Sequence, residues 1–278
     1  MSILIRLLAR CPLWLLHGGG WLLGYVSYFF SRDYRQRFHT QLRQAGYGWR
    51  EALGAIGHAG CSVMESPRLW FGAPVRVQWD GQDVFEAAYA GGRGAIFLTP
   101  HLGCFEVTAP SLAALFGPRY GPLTVLYRPA RQPWLASMLE ASRSREGLLT
   151  VPTNLQGVRK LLKALRNGEA VGLLPDQVPP MGMGIWSPVW GRSAYTMTLA
   201  AKLVLQTGAD VVILWGERLA WGRGYCIHAC KLEVDMQAGL EAMVAQINLA
   251  MEGVIRQCPA QYLWGYGRYK QPREEPLS

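Results

Sequence analysis

Runs of apolar residues set the first divisions of the chain. From Pro12 to Phe30 there is no Asp, Glu, Lys or Arg. Nineteen residues at about 1.5 Å each reach roughly 28 Å, near the hydrocarbon thickness of a bilayer. Arg6 and Arg10 precede this run, and Arg32, Arg35 and Arg37 follow it, so flanking charge sets no orientation. His17 and Gly18-Gly19-Gly20 weaken a straight spanning helix, and a segment lying in one leaflet fits the same residues. No small-x-small cleavage site follows, which argues against a cleaved leader. The expectation is a hydrophobic anchor helix within residues 1–35, spanning or interfacial, and one large domain over 36–278.

Beyond residue 90 the pattern alternates. Gly94–Thr99 is a short apolar run between turn signals, the mark of a buried strand. A helix is expected from Glu106 to Leu115, a strand over Leu123–Tyr127, and a helix from Trp134 to Arg145 closed by Gly147. Val158, Leu161, Leu162 and Leu165 then fall on one helical face, with Arg159, Lys160, Lys163 and Arg166 on the other. Such a charged face is ordinarily solvated; contact with a carrier protein or lipid headgroups is the sharper reading. Asn167-Gly168 ends that helix. Strands are expected over 170–174, 209–214 and 225–234, and Leu240 to Ile255 marks an amphipathic helix. This order predicts a mixed α/β sheet covered by helices.

Composition narrows the partners. Half of the 278 residues are hydrophobic, only 17% are charged, and there are 11 Trp and 12 Tyr. Amphipathic aromatics suit a membrane interface. The net charge of +9 favours anionic partners. No clustered basic arm, zinc finger or RNP-like pattern is present, so nucleic acid gives way to lipid or an acidic protein. The six cysteines are scattered, as expected of reduced thiols. Cys226, His228 and Cys230 would share one strand face. No second ligand pair at metal spacing accompanies them, and an ordinary strand is the reading. No phosphate-binding glycine motif appears either. No metal or cofactor is therefore expected.

Thr99-Pro100-His101-Leu-Gly-Cys-Phe-Glu106 leaves the carboxyl end of a strand, where open α/β sheets place ligands. His101 and Glu106 are five apart, about 140° around a regular helix. They meet only if the chain turns between them, which Gly103 permits. A His held by a carboxylate can remove a proton from a hydroxyl. Taken alone, the pair is as readily structural as catalytic. Cys104 within the turn reads as a wall residue before a nucleophile.

His-x4-Glu after a strand resembles the catalytic motif of the lysophospholipid acyltransferase superfamily, and its Glu form resembles the bacterial lipid A biosynthesis branch of late lauroyl and myristoyl transferases. Further blocks are similar in order: Tyr127-Arg128-Pro129, Arg143-x-Arg145-x-Gly147, Leu174-Pro175-Asp176-Gln177, Gly191-x4-Thr196, and Glu252 through Trp264 with Arg268-Tyr269-Lys270. The resemblance covers roughly residues 90 to 272. Trp190 stands where Phe is usual, and Trp264-Gly265-Tyr266-Gly267 replaces a more basic run; both bear on acceptor and chain-length specificity.

The resemblance implies a glycerolipid acyltransferase-like fold, a catalytic domain over 36–278, and acyl transfer at a cytoplasm-facing site on the bacterial inner membrane. It implies acyl carrier protein as donor and a Kdo-bearing lipid A precursor, an anionic glycolipid, as acceptor. His101 is then the general base and Glu106 its orienting partner. Arg128 is expected to bind phosphate or stabilise charge, and Asp176 to hold Arg128 or the site's architecture. Leu102, Phe105, Trp186 and Trp190 are expected as groove walls or simply core. Three other readings stay open: acyltransfer from acyl-CoA or acyl carrier protein to a lysophospholipid or other glycolipid, a non-catalytic lipid or carrier-protein binder at the membrane, and a hydrolase using water.

Overall fold

Helices α1 (Ile3–Arg10) and α2 (Leu13–Phe30) lead into α3 (Arg32–Gln44) and the long α4 (Trp49–Phe71) in the computed structural model, which describes residues 3–127 and 145–274. The strands and helices that follow are β1 (Val77–Asp80), α5 (Gln82–Ala90), β2 (Ala95–Leu98), α6 (Thr108–Tyr120), β3 (Leu123–Tyr127), β4 (Leu148–Pro152), α7 (Leu155–Arg166), β5 (Ala170–Leu173), β6 (Gly184–Val189), β7 (Arg192–Met197), α8 (Leu199–Thr207), β8 (Asp210–Arg218), β9 (Tyr225–Leu232) and α9 (Gly239–Gln257). The expected helix over 134–145 lies outside the described residues except for Arg145.

Seven strands form one sheet in the order β1-β9-β8-β2-β5-β3-β4. Neighbours run parallel except β8 and β9. β6 and β7 form a separate antiparallel ribbon. The mixed sheet covered by helices is as expected. Strands buried on both faces read as continuous apolar runs, and β2 with its sequence Ala-Ile-Phe-Leu is buried throughout. Alternation sorts its side chains. Ile96 and Leu98 join the core under α7, α8 and α9, while Ala95 and Phe97 join the core under α6.

Of the two N-terminal alternatives, the spanning helix finds no support. No helix among the described residues is long and apolar enough to cross a membrane. Gly20 and Gly24 of α2 instead serve a close crossing with α4. A Cβ on Gly20 would stand 2.6 Å from the Cys61 backbone, and one on Gly24 would strike the Ile56 carbonyl. Gly57 and Gly60 on α4 are equally crowded, by Trp21 and by the Gly20 and Gly24 backbone. Small residues bring the two backbones together, while Trp14, Leu22, Phe29 and Phe30 stay exposed.

A buried ion pair ties this helical pair to the sheet. Glu65 of α4 accepts from Arg218 Nη2 at 2.6 Å and Nε at 2.9 Å, and from the Tyr225 hydroxyl at 3.0 Å. His17 Nε2 lies 3.1 Å from the same carboxylate. Burial would raise the Glu65 pKa, but Arg218 and the His17 hydrogen bond outweigh it and hold it at about 2.

Candidate active site

The site is built where β2 ends. A short turn carries His101 away from the strand, and a 3-10 turn over Phe105–Val107 precedes α6. The expected helix therefore begins later than Glu106, and His101 and Glu106 never share a regular helix. Gly103 makes the turn possible. Its φ of 59° is in the left-handed region, and it bridges Gly216 so closely that any Cβ would strike that residue's carbonyl. The C-terminal segment clamps the same turn. Gly103 N–H donates to the Gln261 carbonyl at 3.0 Å, and Leu263 N–H to the His101 carbonyl at 3.1 Å. The Gln261 side chain in turn bonds the Arg218 backbone in both directions.

His101 Nδ1 faces Asp176 Oδ1 at 2.7 Å, and the His101 backbone N–H donates to Asp176 Oδ2 at 2.8 Å. The Tyr262 hydroxyl donates to Oδ2 at 3.3 Å. The carboxylate is buried. Burial alone would raise its pKa, but the charge and hydrogen bonds of His101 bring it below the ordinary value. Glu106 is not on the Nδ1 side: its Oε2 takes a hydrogen bond from Trp70 Nε1 at 3.3 Å. Its charge still reaches the imidazole. Burial would lower the His101 pKa; Asp176, with a smaller part from Glu106, raises it above the ordinary value. With the Nδ1 proton committed to Asp176, Nε2 is an acceptor, and the Gln177 amide donates to it at 3.0 Å.

Nε2 opens on a cavity of about 850 Å³ that also receives Glu106, Trp70, Arg145 and Gln177. The cavity straddles the carboxyl edge of the sheet. On the α6 side it runs along Phe97, Leu112, Leu123, Val125 and Leu148, all in or against the core on that face. On the other side it is walled by Leu126, Leu173, Val158 of α7 and Leu199 and Lys202 of α8. Because Leu123 begins β3 and Tyr127 ends it, the α6-side arm is roughly 13 Å deep at 3.3 Å per residue. A slot with largely apolar walls beside a proton-accepting nitrogen suits a hydrocarbon chain whose head reacts at His101.

The expected site residues fare differently. His101, Glu106 and Asp176 are brought together. Arg128 lies outside the described residues. Phe105 lines the cavity, with its ring 4.6 Å from that of His101. Leu102 is buried in the core, Trp186 is half exposed, and Trp190 packs on Trp264 away from the cavity. Cys104 is wholly buried, and burial pushes its thiol well above the usual range, which leaves no thiolate for attack. His228 is held between Asp80 and Glu217, and no group able to hold a metal ion occurs among the described residues. Sequence reasoning assigned no role to Gln177, Tyr262 or Arg145. All three stand in recognisable blocks, which was the available signal.

A family model described as bacterial lipid A biosynthesis acyltransferase matches residues 58–271. The chain is 26% identical to the lipid A biosynthesis lauroyltransferase of Escherichia coli (strain K12), over 76% of this chain and 69% of that protein. It is 23% identical to the lipid A biosynthesis palmitoleoyltransferase of the same organism, over 76% and 68%. The lipid A biosynthesis acyltransferase of Shigella flexneri is similar at 23%, over the same shares.

Proposed function

Because the chain belongs to the bacterial lipid A biosynthesis acyltransferase family, we propose that it moves a fatty acyl chain from an acyl carrier protein thioester to a hydroxyl of a Kdo-bearing, tetraacylated lipid A precursor at the cytoplasmic face of the inner membrane. That it is an acyltransferase follows from the family and its relatives. The observation that carries the finer reading is His101: Nδ1 on a buried carboxylate, Nε2 facing the cavity where the apolar slot begins.

Three groups act on the acceptor hydroxyl. The hydroxyl takes the place of the Gln177 amide at Nε2 and gives its proton to His101 as its oxygen attacks the thioester carbonyl. Asp176 fixes the tautomer and stabilises the imidazolium, and Glu106 adds a second negative charge nearby. The Gln177 amide, displaced but adjacent, offers a side-chain donor to the developing oxyanion. Collapse of the tetrahedral intermediate expels the thiolate, which takes the proton from His101. Arg145, held in the cavity wall by its hydrogen bond to the Leu69 carbonyl, brings a guanidinium within reach of an anionic group of the acceptor. The exposed Leu4, Leu7, Trp14, Leu22 and Phe30, with Arg6 and Arg10 beside them, support an interfacial rather than spanning contact with the bilayer.

The test supplies purified protein with acyl carrier protein donors and a tetraacylated precursor. The product is expected heavier by one acyl chain. Free fatty acid alone, or acylation of a lysophospholipid in preference, would replace this reading. The slot makes a separate prediction. Val125→Trp fills its middle, and the preferred donor shortens by ~2–4 carbons, since each excluded methylene forfeits about 0.8 kcal/mol. Competition between donors of different length, read by product mass, checks this.

A further inference from the structure

The cavity has a second arm that the acyl chain does not need. If the chain lies under α6 with its carbonyl at His101, the rest of the donor leaves across the sheet edge toward α7 and α8. This arm carries polar side chains of its own. It passes Thr153 and Thr198 and reaches Lys202, an exposed lysine of α8 in the cavity wall. Lys202 makes no side-chain hydrogen bond or ion pair among the described residues. An unengaged ammonium at a cavity mouth is placed to receive an anion.

The surroundings reinforce it. Val158 of α7 lines the same mouth, and the next residue, Arg159, is exposed. Lys160, Lys163 and Arg166 follow on the outer side of α7, and the helix contains no Asp or Glu. The exposed charge of α7 is therefore positive, which draws an anionic donor toward that helix. Arg145, the other lining cation, lies on the opposite side with Trp70 and Glu106, where its guanidinium donates to the Leu69 carbonyl at 2.5 Å.

We propose that the α7–α8 arm binds the phosphopantetheine portion of the acyl donor and that Lys202 anchors its phosphate. This rests on the thioester-donor reading above. The phosphate is common to an acyl carrier protein and to acyl-CoA, and the two sources are separated by experiment.

Wild type, Lys202→Glu and Lys202→Arg are compared with three donors of one chain length: acyl carrier protein, acyl-CoA and the acyl thioester of N-acetylcysteamine, which lacks the phosphate. The readout is the ratio of kcat/KM for each phosphate-bearing donor to that for the phosphate-free one. In Lys202→Glu both ratios are expected to fall on the order of tenfold, the worth of about 1.4 kcal/mol. Lys202→Arg keeps them near wild type. A fall for the carrier protein alone would overturn the phosphate anchor and place Lys202 on a protein-docking surface. Unchanged ratios, with all donors affected alike or none, would overturn it outright. Wild type that transfers from none of the three fails the donor reading itself, a result distinct from either.

Discussion

Asp176→Asn lowers kcat for acyl transfer by roughly 10⁴-fold, the order of loss seen when the carboxylate behind a catalytic imidazole becomes an amide. Asp176 receives both the Nδ1 side of His101 and its backbone N–H. Asn cannot accept at both positions with the same charge, and it offers no counter-ion to the imidazolium. The pH profile gives the sign. His101 acts as base when neutral, and Asp176 and Glu106 raise its pKa above 6.5 despite burial. Wild-type kcat/KM therefore climbs as pH rises through that raised value. In Asp176→Asn the imidazolium loses its main support, the pKa falls, and the acid limb moves to lower pH while the plateau drops. Steady-state kcat/KM against pH, measured on both proteins, reads the two changes together. An acid limb that stayed in place would mean that Asp176 does not face the titrating group in solution.

Glu65→Gln produces the largest expected loss of stability. The substitution leaves Arg218 charged and buried without its counter-ion, and breaking such a pair by one partner costs about 3–5 kcal/mol. For a chain of this size that is a fall in Tm of roughly 10 °C. Arg218→Met added to Glu65→Leu removes both charges and is expected to recover most of it. Linkage fixes the pH window. The Glu65 pKa is lowered from 4.5 to about 2 in the folded protein. Its contribution is fully present above 4.5 and disappears as pH falls through about 2. Thermal melts of wild type and Glu65→Gln should differ most near neutrality and converge in strong acid.

Much of the sheet was readable because its strands are short apolar runs between turn signals. β2, β3, β5 and β8 fall where periodicity put them, and α7 shows its buried Leu161 and Leu165 against an outer row of Lys and Arg. At the N-terminus the spanning and interfacial alternatives were not separable in the sequence, because an apolar charge-free run looks the same whether its partner is lipid or protein. What distinguished them was the spacing of Gly20 and Gly24 against Gly57 and Gly60, a pattern split between two helices. The site was half legible for a related reason. His101 and Glu106 are neighbours in sequence, and local spacing invites pairing them. Asp176 is 75 residues from His101. It arrives because β5 lies beside β2 in parallel register, Leu98 opposite Leu173, so both strand ends deliver their loops to one edge. Tyr262 and Gln261 come from beyond α9, and only the closed fold shows that they clamp the His101 turn and its carboxylate.

The most direct test of His101 as the base for acyl transfer is the same reaction run with His101→Ala. Donor and tetraacylated precursor are supplied at saturation, product is weighed by mass spectrometry, and thermal melting confirms that the variant is folded. An added acyl chain is expected with wild type, and a rate lowered by at least about 10³-fold with the variant. Equal rates from two folded proteins would contradict that role and make His101 a structural residue.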